Sequence, residues 1–526
     1  MTQLFTNNAS TTITNAPLLT SATTINLSAG SGAKFPSPSG GDYFMGTLID
    51  SSGNVEIVQC TGRSVDALTV VRAQEGTSAL SFVSGSTFAL RATAGLMSRI
   101  GKASRFPPNN KMAWVGDSII YLTVNAANDA THTRNSNRGQ SFWTSFLTRQ
   151  KIDNNQAYNF GVNGDTSTGV LGRMGPILAA QAGIYYLCIG CNDVYGSFAY
   201  ATTQANILNI VTQLLANDPA PIVILSTIVP IYMTGSMLLQ VWRINKWIKS
   251  LTGLFDGLYV VDPGWRYVNP QSTTSVPNTH MAQGDNIHPS AMGAYALSIP
   301  VINFLNNILP DTGEECACVT DVYDATYNPT GNLLPSGVSP FTGTSGTVGG
   351  TGLSGTCVNN MYAETYSASG TAFNSAAIVG STVTDSDGKV WQEFSLGGTL
   401  ADDSGSVLYL QLTMYSFTNF SIGDRVYSTV DIQIDPGTTG IGGIECVLDS
   451  TESGTAYEWT DGLTFLETFP TFTTMQDGVL KTPIRTLLAV PTAFQWNCRV
   501  WGRNLGTGPY ALAGKIRIAA PKIMKA

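Results

Sequence analysis

The chain has 526 residues, 43% apolar and only 12% charged, with a net charge of -8. That length exceeds one ordinary hydrophobic core, so two to four domains are expected. The acidic balance, with no dense Lys/Arg cluster, excludes a nucleic-acid binder and argues against docking on anionic membranes.

Charge is well below the usual level of about 25%. Polarity comes instead from Thr, Ser, Asn and 54 Gly, a composition suited to β-rich, turn-rich surfaces. The opening residues, Met1 to Phe5, lack the basic and apolar regions of a signal peptide. No uninterrupted apolar run reaches the ~18 residues of a membrane span. A role outside the cell would therefore need release by lysis or incorporation into a particle. The eight Cys are too sparse for a disulfide framework. Three His and no Cys/His cluster leave no metal site or cofactor to expect.

Residues 1–105 read as a small β domain, with a mount, connector or assembly module as the expected role. Short alternating segments lie at Thr24 to Leu27, Tyr43 to Ile49, Val55 to Cys60 and Leu68 to Arg72, with a hairpin turn at Ser51 to Asn54.

From 106 to 312 the rhythm changes. Apolar strands at Met112 to Val115, Ala157 to Phe160, Ile184 to Ile189, Ile222 to Val229 and Leu258 to Val261 alternate with helical stretches. The clearest helices are Ala201 to Leu215, Met237 to Lys249 and Ala291 to Ile308, and Ile207, Ile210, Val211, Leu214 and Leu215 follow a 3.6-residue period. Such alternation predicts a mostly parallel sheet covered on both faces, with reactive groups beyond the C-terminal strand ends.

Residues 313–526 return to β periodicity. Ser339 to Thr356 reads as an extended loop or flexible junction. Strands follow at Val407 to Met414, Arg425 to Ile434, Gly443 to Leu448, Ala493 to Gly502 and Leu512 to Ile518, which predicts a sandwich of jelly-roll type. Carbohydrate binding or trimerisation is the role expected of such a module. No strict short repeat suggests a solenoid.

Two segments carry candidate chemistry. In Gly116-Asp117-Ser118 a buried strand ends in a glycine turn that lifts a hydroxyl clear of the sheet edge. In Asp285-Asn286-Ile287-His288 a carboxylate three residues before an imidazole can orient that ring, and a serine needs such a base. Ser290 is placed to cap the following helix. Gly164 offers a backbone N–H after one strand, and Asn192 in Gly190-Cys191-Asn192-Asp193 offers an amide after another. With the Ser118 N–H these make three oxyanion donors. Each segment alone has a plainer reading as a turn.

Taken in order, the four blocks resemble those of the SGNH hydrolase, or GDSL esterase, family, over roughly residues 108 to 310. The resemblance implies a flavodoxin-like α/β/α sandwich, with Ser118 as nucleophile, His288 as general base and Asp285 as its orienting acid. Ser118, Gly164 and Asn192 form the implied oxyanion hole, and Asp193 supports its loop. Ile119 stands where the family often has Leu. Cys191 fills the variable place of its block. His132 and His280 read as solvent-facing loop residues rather than cleft residues.

The passage from Gly41 to Leu96, including Val71 to Thr77, resembles N-terminal modules of bacteriophage tail fibres. That resemblance implies a virion tail protein, a homotrimer, that removes O-acetyl groups from a bacterial surface polysaccharide, with other tail or baseplate proteins as partners. Two alternatives compete: a lipase or thioesterase with the same triad, and a purely adhesive tail protein. Trp391, Trp459, Trp496 and Trp501 read as core residues before sugar platforms.

Overall fold

A computed structural model describes residues 3–93, 106–123, 131–229, 231–269, 271–310, 321–334, 338–403, 408–415, 418–463 and 469–526. The chain forms two compact units, Met1–Arg105 and Phe106–Ala526.

The first unit is one antiparallel sheet built from β1 (Ser10–Thr12), β2 (Thr24–Asn26), β3 (Phe44–Ile49), β4 (Val55–Ser64), β5 (Ala67–Gln74) and β6 (Thr87–Ala89). Their order is β1-β6-β3-β4-β5-β2. Alternation places Val58, Cys60, Leu68 and Val70 on one face, where they close over Phe35, Phe44 and Phe88. The buried Glu56 carboxylate is met by Arg72 and by the N–H groups of Ala73 and Leu80, so its charge is fully bonded. Residues 94–96 of the tail-like passage lie outside the described residues.

The second unit begins with β7 (Met112–Gly116), β8 (His132–Ser136), β9 (Asn159–Gly161), β10 (Ile184–Cys188), β11 (Ile222–Ser226) and β12 (Leu258–Val261). Apart from β8 these form a parallel sheet in the order β12-β11-β10-β7-β9. Nearly every residue of β7, β10 and β11 is buried because both faces are covered. Ala113, Val115, Tyr185, Leu187, Val223 and Leu225 pack against the helices Tyr200–Leu215 and Gly235–Ser250. Met112, Trp114, Tyr186 and Ile224 face Val301 and Leu305 of the helix Ala291–Ile308. Predicted and observed helices agree here to within two residues, since long 3.6-residue periods leave little latitude. Among the described residues, no helix is long and apolar enough to cross a membrane.

The β-rich remainder contains β13 (Ser345–Gly349), β14 (Leu353–Gly355), β15 (Cys357–Ser367), β16 (Ile378–Thr384), β17 (Val390–Leu396), β18 (Thr399–Leu400) and β19 (Leu408–Tyr415). After them come β20 (Arg425–Ile434), β21 (Ile441–Glu452), β22 (Thr455–Leu463), β23 (Gln476–Lys481), β24 (Arg485–Thr486), β25 (Ala493–Gly502), β26 (Tyr510–Ala511) and β27 (Gly514–Lys525). One sheet runs β13-β15-β19-β25-β21-β22-β8 and another β14-β16-β17-β27-β20-β23, with β24 beside β20 and a small β18-β26 pair. The junction expected from Ser339 to Thr356 is therefore corrected in part: β13 and β14 lie inside it, each paired to a neighbour. Backbone hydrogen bonds overrode its Gly/Thr/Ser composition. Trp391, Trp459 and Trp496 are buried and Trp501 is half-buried.

Position 312 falls among residues outside the description. On either side of it, however, the chain shares one core. Phe142, Trp143 and Phe146 of the helix Gln140–Leu147, with Ala291 and Ala294, pack among Ile432, Leu480, Phe469 and Phe472. Strand β8 adds itself in parallel to β22 at the edge of the β-rich sheet.

Candidate active site

Strand β7 ends at Gly116, where a Cβ would stand 2.2 Å from the Cys188 carbonyl oxygen of β10. Only glycine lets the two strand ends lie that close. Asp117 follows with extended backbone and caps the short helix Ser118–Tyr121 by accepting from the Ile119 N–H at 3.0 Å. Ser118 thus stands at the first helical position, half-buried at the C-terminal edge of the parallel sheet.

A tight loop between residues 282 and 289 supplies the imidazole. Gln283 N–H donates to His288 O at 2.8 Å, and the Gln283 side chain donates to Pro289 O at 2.9 Å. Asn286 takes a positive φ of 59°, and the buried Tyr267 hydroxyl donates to Ile287 O at 3.0 Å. Asp285 Oδ1 accepts from the N–H groups of Ile287 and His288 at 2.9 and 3.0 Å. Its Oδ2 meets His288 Nδ1 at 2.6 Å, and His288 Nε2 meets Ser118 Oγ at 2.9 Å. Ser290 caps the next helix by accepting from Gly293 N–H at 3.1 Å, as its sequence position predicts. Hydroxyl, imidazole and carboxylate stand in one line.

Burial pushes the Asp285 carboxyl up, but the His288 ring and the two backbone N–H groups outweigh it and hold the group below its ordinary range. Asp117, buried behind the serine, shows the opposite balance. Burial raises its carboxyl to about 7, with the Ile119 N–H and His288 pulling the other way. One acid in this site is kept ionised and the other is held toward its neutral form.

Gly164 has a φ of +71° on the turn after β9, with open space where a Cβ would be. Asn192 Nδ2 donates to the Asp165 carbonyl at 2.8 Å, which leaves the second hydrogen of that nitrogen for another acceptor. Asp193 is fully buried and accepts from the Ser167 N–H at 2.8 Å and from the Ser167 hydroxyl. It binds its loop to the neighbouring helix and does not reach Ser118 in any described hydrogen bond. Cys191 is buried, and burial raises its thiol far above the ordinary value. The backbone of His132 belongs to β8, paired with Glu458. His280 is exposed, and its carbonyl accepts from the Ser290 hydroxyl. Among the described residues no three His, Cys, Asp or Glu side chains gather as a metal site.

The sequence reading passed over Tyr267, Asp165 and Arg173. Tyr267 sits 18 residues before Asp285 with no periodic relation to it. Only Asp165 carried a signal, its position directly after Gly164.

Residues 114–296 match the model of the GDSL-like Lipase/Acylhydrolase family. This central region belongs to the GDSL/SGNH hydrolases. The GDSL region makes the protein a carboxylic ester hydrolase. Its solved relatives include a member of the lipolytic protein G-D-S-L family from Veillonella parvula, at 16% identity over 37% of this chain and 96% of that one, with a TM-score of 0.27. A carbohydrate esterase family 3 protein from Talaromyces cellulolyticus matches at 16% identity over 38% and 96%, TM-score 0.27. The lipase Lip_vut3 from a goat rumen metagenome matches at 14% identity over 37% and 96%, TM-score 0.28. A comparison with curated proteins returned no match.

Proposed function

We propose that this GDSL hydrolase is a serine esterase that removes short acyl groups, acetyl foremost, from hydroxyls of a bacterial surface polysaccharide. The observation that carries the esterase chemistry is the 2.9 Å contact between His288 Nε2 and Ser118 Oγ, with Asp285 on the far ring nitrogen. His288 takes the Ser118 proton as Oγ attacks the ester carbonyl, and the ring's new charge is shared with Asp285. The oxyanion is received by the N–H groups of Ser118 and Gly164 and by the Asn192 amide. His288 returns the proton to the leaving alcohol. A water then attacks the acyl-serine, its proton passing through His288, and the acid departs.

Strand order β12-β11-β10-β7-β9 supports reading the region as flavodoxin-like, with Ser118 at the end of β7, where the strand order reverses between β9 and β10. The polysaccharide substrate and the setting, a homotrimer in a virus tail, rest on the resemblance of residues 41–96 to tail-fibre modules. The test is acetate release from O-acetylated surface polysaccharides, alongside acetyl, butyryl and octanoyl p-nitrophenyl esters. The proposal expects acetate from the wild type and an acetyl ester preference, with Ser118→Ala lower by at least about a thousandfold in kcat. Preference for the octanoyl ester would replace it with a lipase, and no hydrolysis of any ester would leave an adhesin.

A further inference from the structure

Arg173 is a charged side chain beside the site that takes no part in the chemistry described above. Arg173 lies between the helices Ser167–Gly172 and Met174–Ala179 and is 23% exposed. Its Nη2 donates to the Gly116 carbonyl at 3.2 Å, two residues before Ser118. The Val162 N–H, on the turn toward Gly164, donates to that same carbonyl at 3.1 Å. Arg173 Nη2 and Nε also donate to Asp165 Oδ2, at 2.7 and 2.9 Å. Asp165 adjoins Gly164, and its carbonyl is the acceptor that holds Asn192.

Gly164 has no neighbour within 4 Å of where its Cβ would be, so packing does not fix that point of the turn. Its position depends on the hydrogen bonds of its neighbours, chiefly those of Asp165. Because a carbonyl only accepts, the Asp165–Asn192 bond also decides which end of the Asn192 amide faces inward to it. One guanidinium thereby joins the strand end behind the serine to the turn that carries the Gly164 donor and holds the Asn192 amide.

We propose that Arg173 is a positioning residue for oxyanion stabilisation, fixing Ser118, Gly164 and Asn192 relative to one another through Gly116 O and the Asp165 carboxylate. The inference rests on the esterase reading given under Proposed function. Oxyanion donors act only when they are preorganised around the developing charge, so loosening them lowers kcat while substrate binding changes little. A merely structural ion pair would alter stability and leave turnover per folded site unchanged.

The experiment compares Arg173→Met, Arg173→Lys, Asp165→Asn, Asn192→Ala and the Arg173→Met/Asn192→Ala double variant on p-nitrophenyl acetate. Active sites are counted by labelling to completion with a fluorophosphonate. Expected is a fall in kcat per labelled site of at least about tenfold for Arg173→Met, with KM within about threefold. Arg173→Lys falls between it and the wild type, and the double variant loses clearly less than the product of the two single losses. A smaller fall in Arg173→Met, or losses that multiply fully in the double variant, overturns the inference. Should Arg173→Met not fold, Asp165→Asn takes the charge out of the same link, and a fall in kcat per labelled site of at least about threefold with KM unchanged is then required. A wild type that hydrolyses no ester and takes no label sinks the esterase reading itself. An active wild type with unaffected Arg173 and Asp165 variants sinks this inference alone.

Discussion

Trp143 and Tyr295 pack edge to face, with ring centroids 5.3 Å apart and an interplanar angle of 68°. Trp143 comes from the helix that follows β8, and Tyr295 lies one turn beyond the Asp285–His288 loop on the helix Ala291–Ile308. Both rings meet Phe472 of the β-rich region, at 6.3 and 5.1 Å. The helix that continues from His288 is therefore braced by aromatic side chains nearly two hundred residues away in sequence.

This contact makes the β-rich region part of the enzyme's stability. Trp143→Ala is expected to cost about 3–5 kcal/mol, since it empties a fully buried site and strands the Asn137 carbonyl that its indole N–H serves at 2.7 Å. Urea unfolding measures this. A chain cut after residue 310 exposes Phe142, Trp143 and Phe146 and is expected to be insoluble or unfolded. A stable, active fragment would show the brace to be dispensable.

Asp285 is 43% exposed, which limits what its charge contributes. A buried triad carboxylate is worth about ten-thousandfold in kcat, and solvent screening reduces that figure here. Asp285→Asn is expected to lower kcat by at least about a hundredfold, because an amide at this place both loses the charge and disturbs the ring tautomer. Steady-state kinetics at neutral pH would decide it, with KM changing far less.

Tyr267 holds the catalytic loop from beneath through Ile287 O. Tyr267→Phe removes that one bond without changing shape, so stability should fall by about 1 kcal/mol. Loss of loop placement should lower kcat by up to roughly tenfold. A variant with the lower Tm but unaltered kcat would show that the loop holds itself.

Asp461 of β22 receives the Asn135 amide of β8 and the Lys481 N–H of β23 where β8 joins the β-rich sheet. Burial raises its carboxyl from 3.8 to about 7, those two donors only partly offsetting it. Between these pH values the folded chain keeps a proton that the unfolded chain has released. Stability from this group therefore falls as pH rises from about 4 to about 7. Asp461→Asn should flatten the fall of Tm across that window; an unchanged slope would contradict the assignment.

Six described cysteines, Cys60, Cys188, Cys191, Cys357, Cys446 and Cys498, are free and buried. Burial raises every one of these thiols above its ordinary value. Cys316 and Cys318 lie outside the described residues. A thiol reagent applied to the native protein should therefore titrate no more than two groups. Titration of three or more without denaturant would refute this.

The helix Ala291–Ile308 and the strands Arg425–Ile434 and Ala493–Gly502 were legible to the residue, because each carries a long, unbroken apolar period. Strand β8 was not, since His132 to Ser136 has no apolar residue to alternate and pairs only because β22 offers a free edge. Ser118, Asp285 and His288 lie in short motifs, each of which shapes its own turn through bonds to residues at most three away. Local chemistry of that kind is written in local sequence. Tertiary structure alone decided that a hydroxyl and an imidazole 170 residues apart stand at 2.9 Å, that Arg173 reaches Gly116, and that Phe472 supports Tyr295. Those meetings depend on how sheet and helices close over a shared core, and burial of apolar surface carries no address in sequence for its partner.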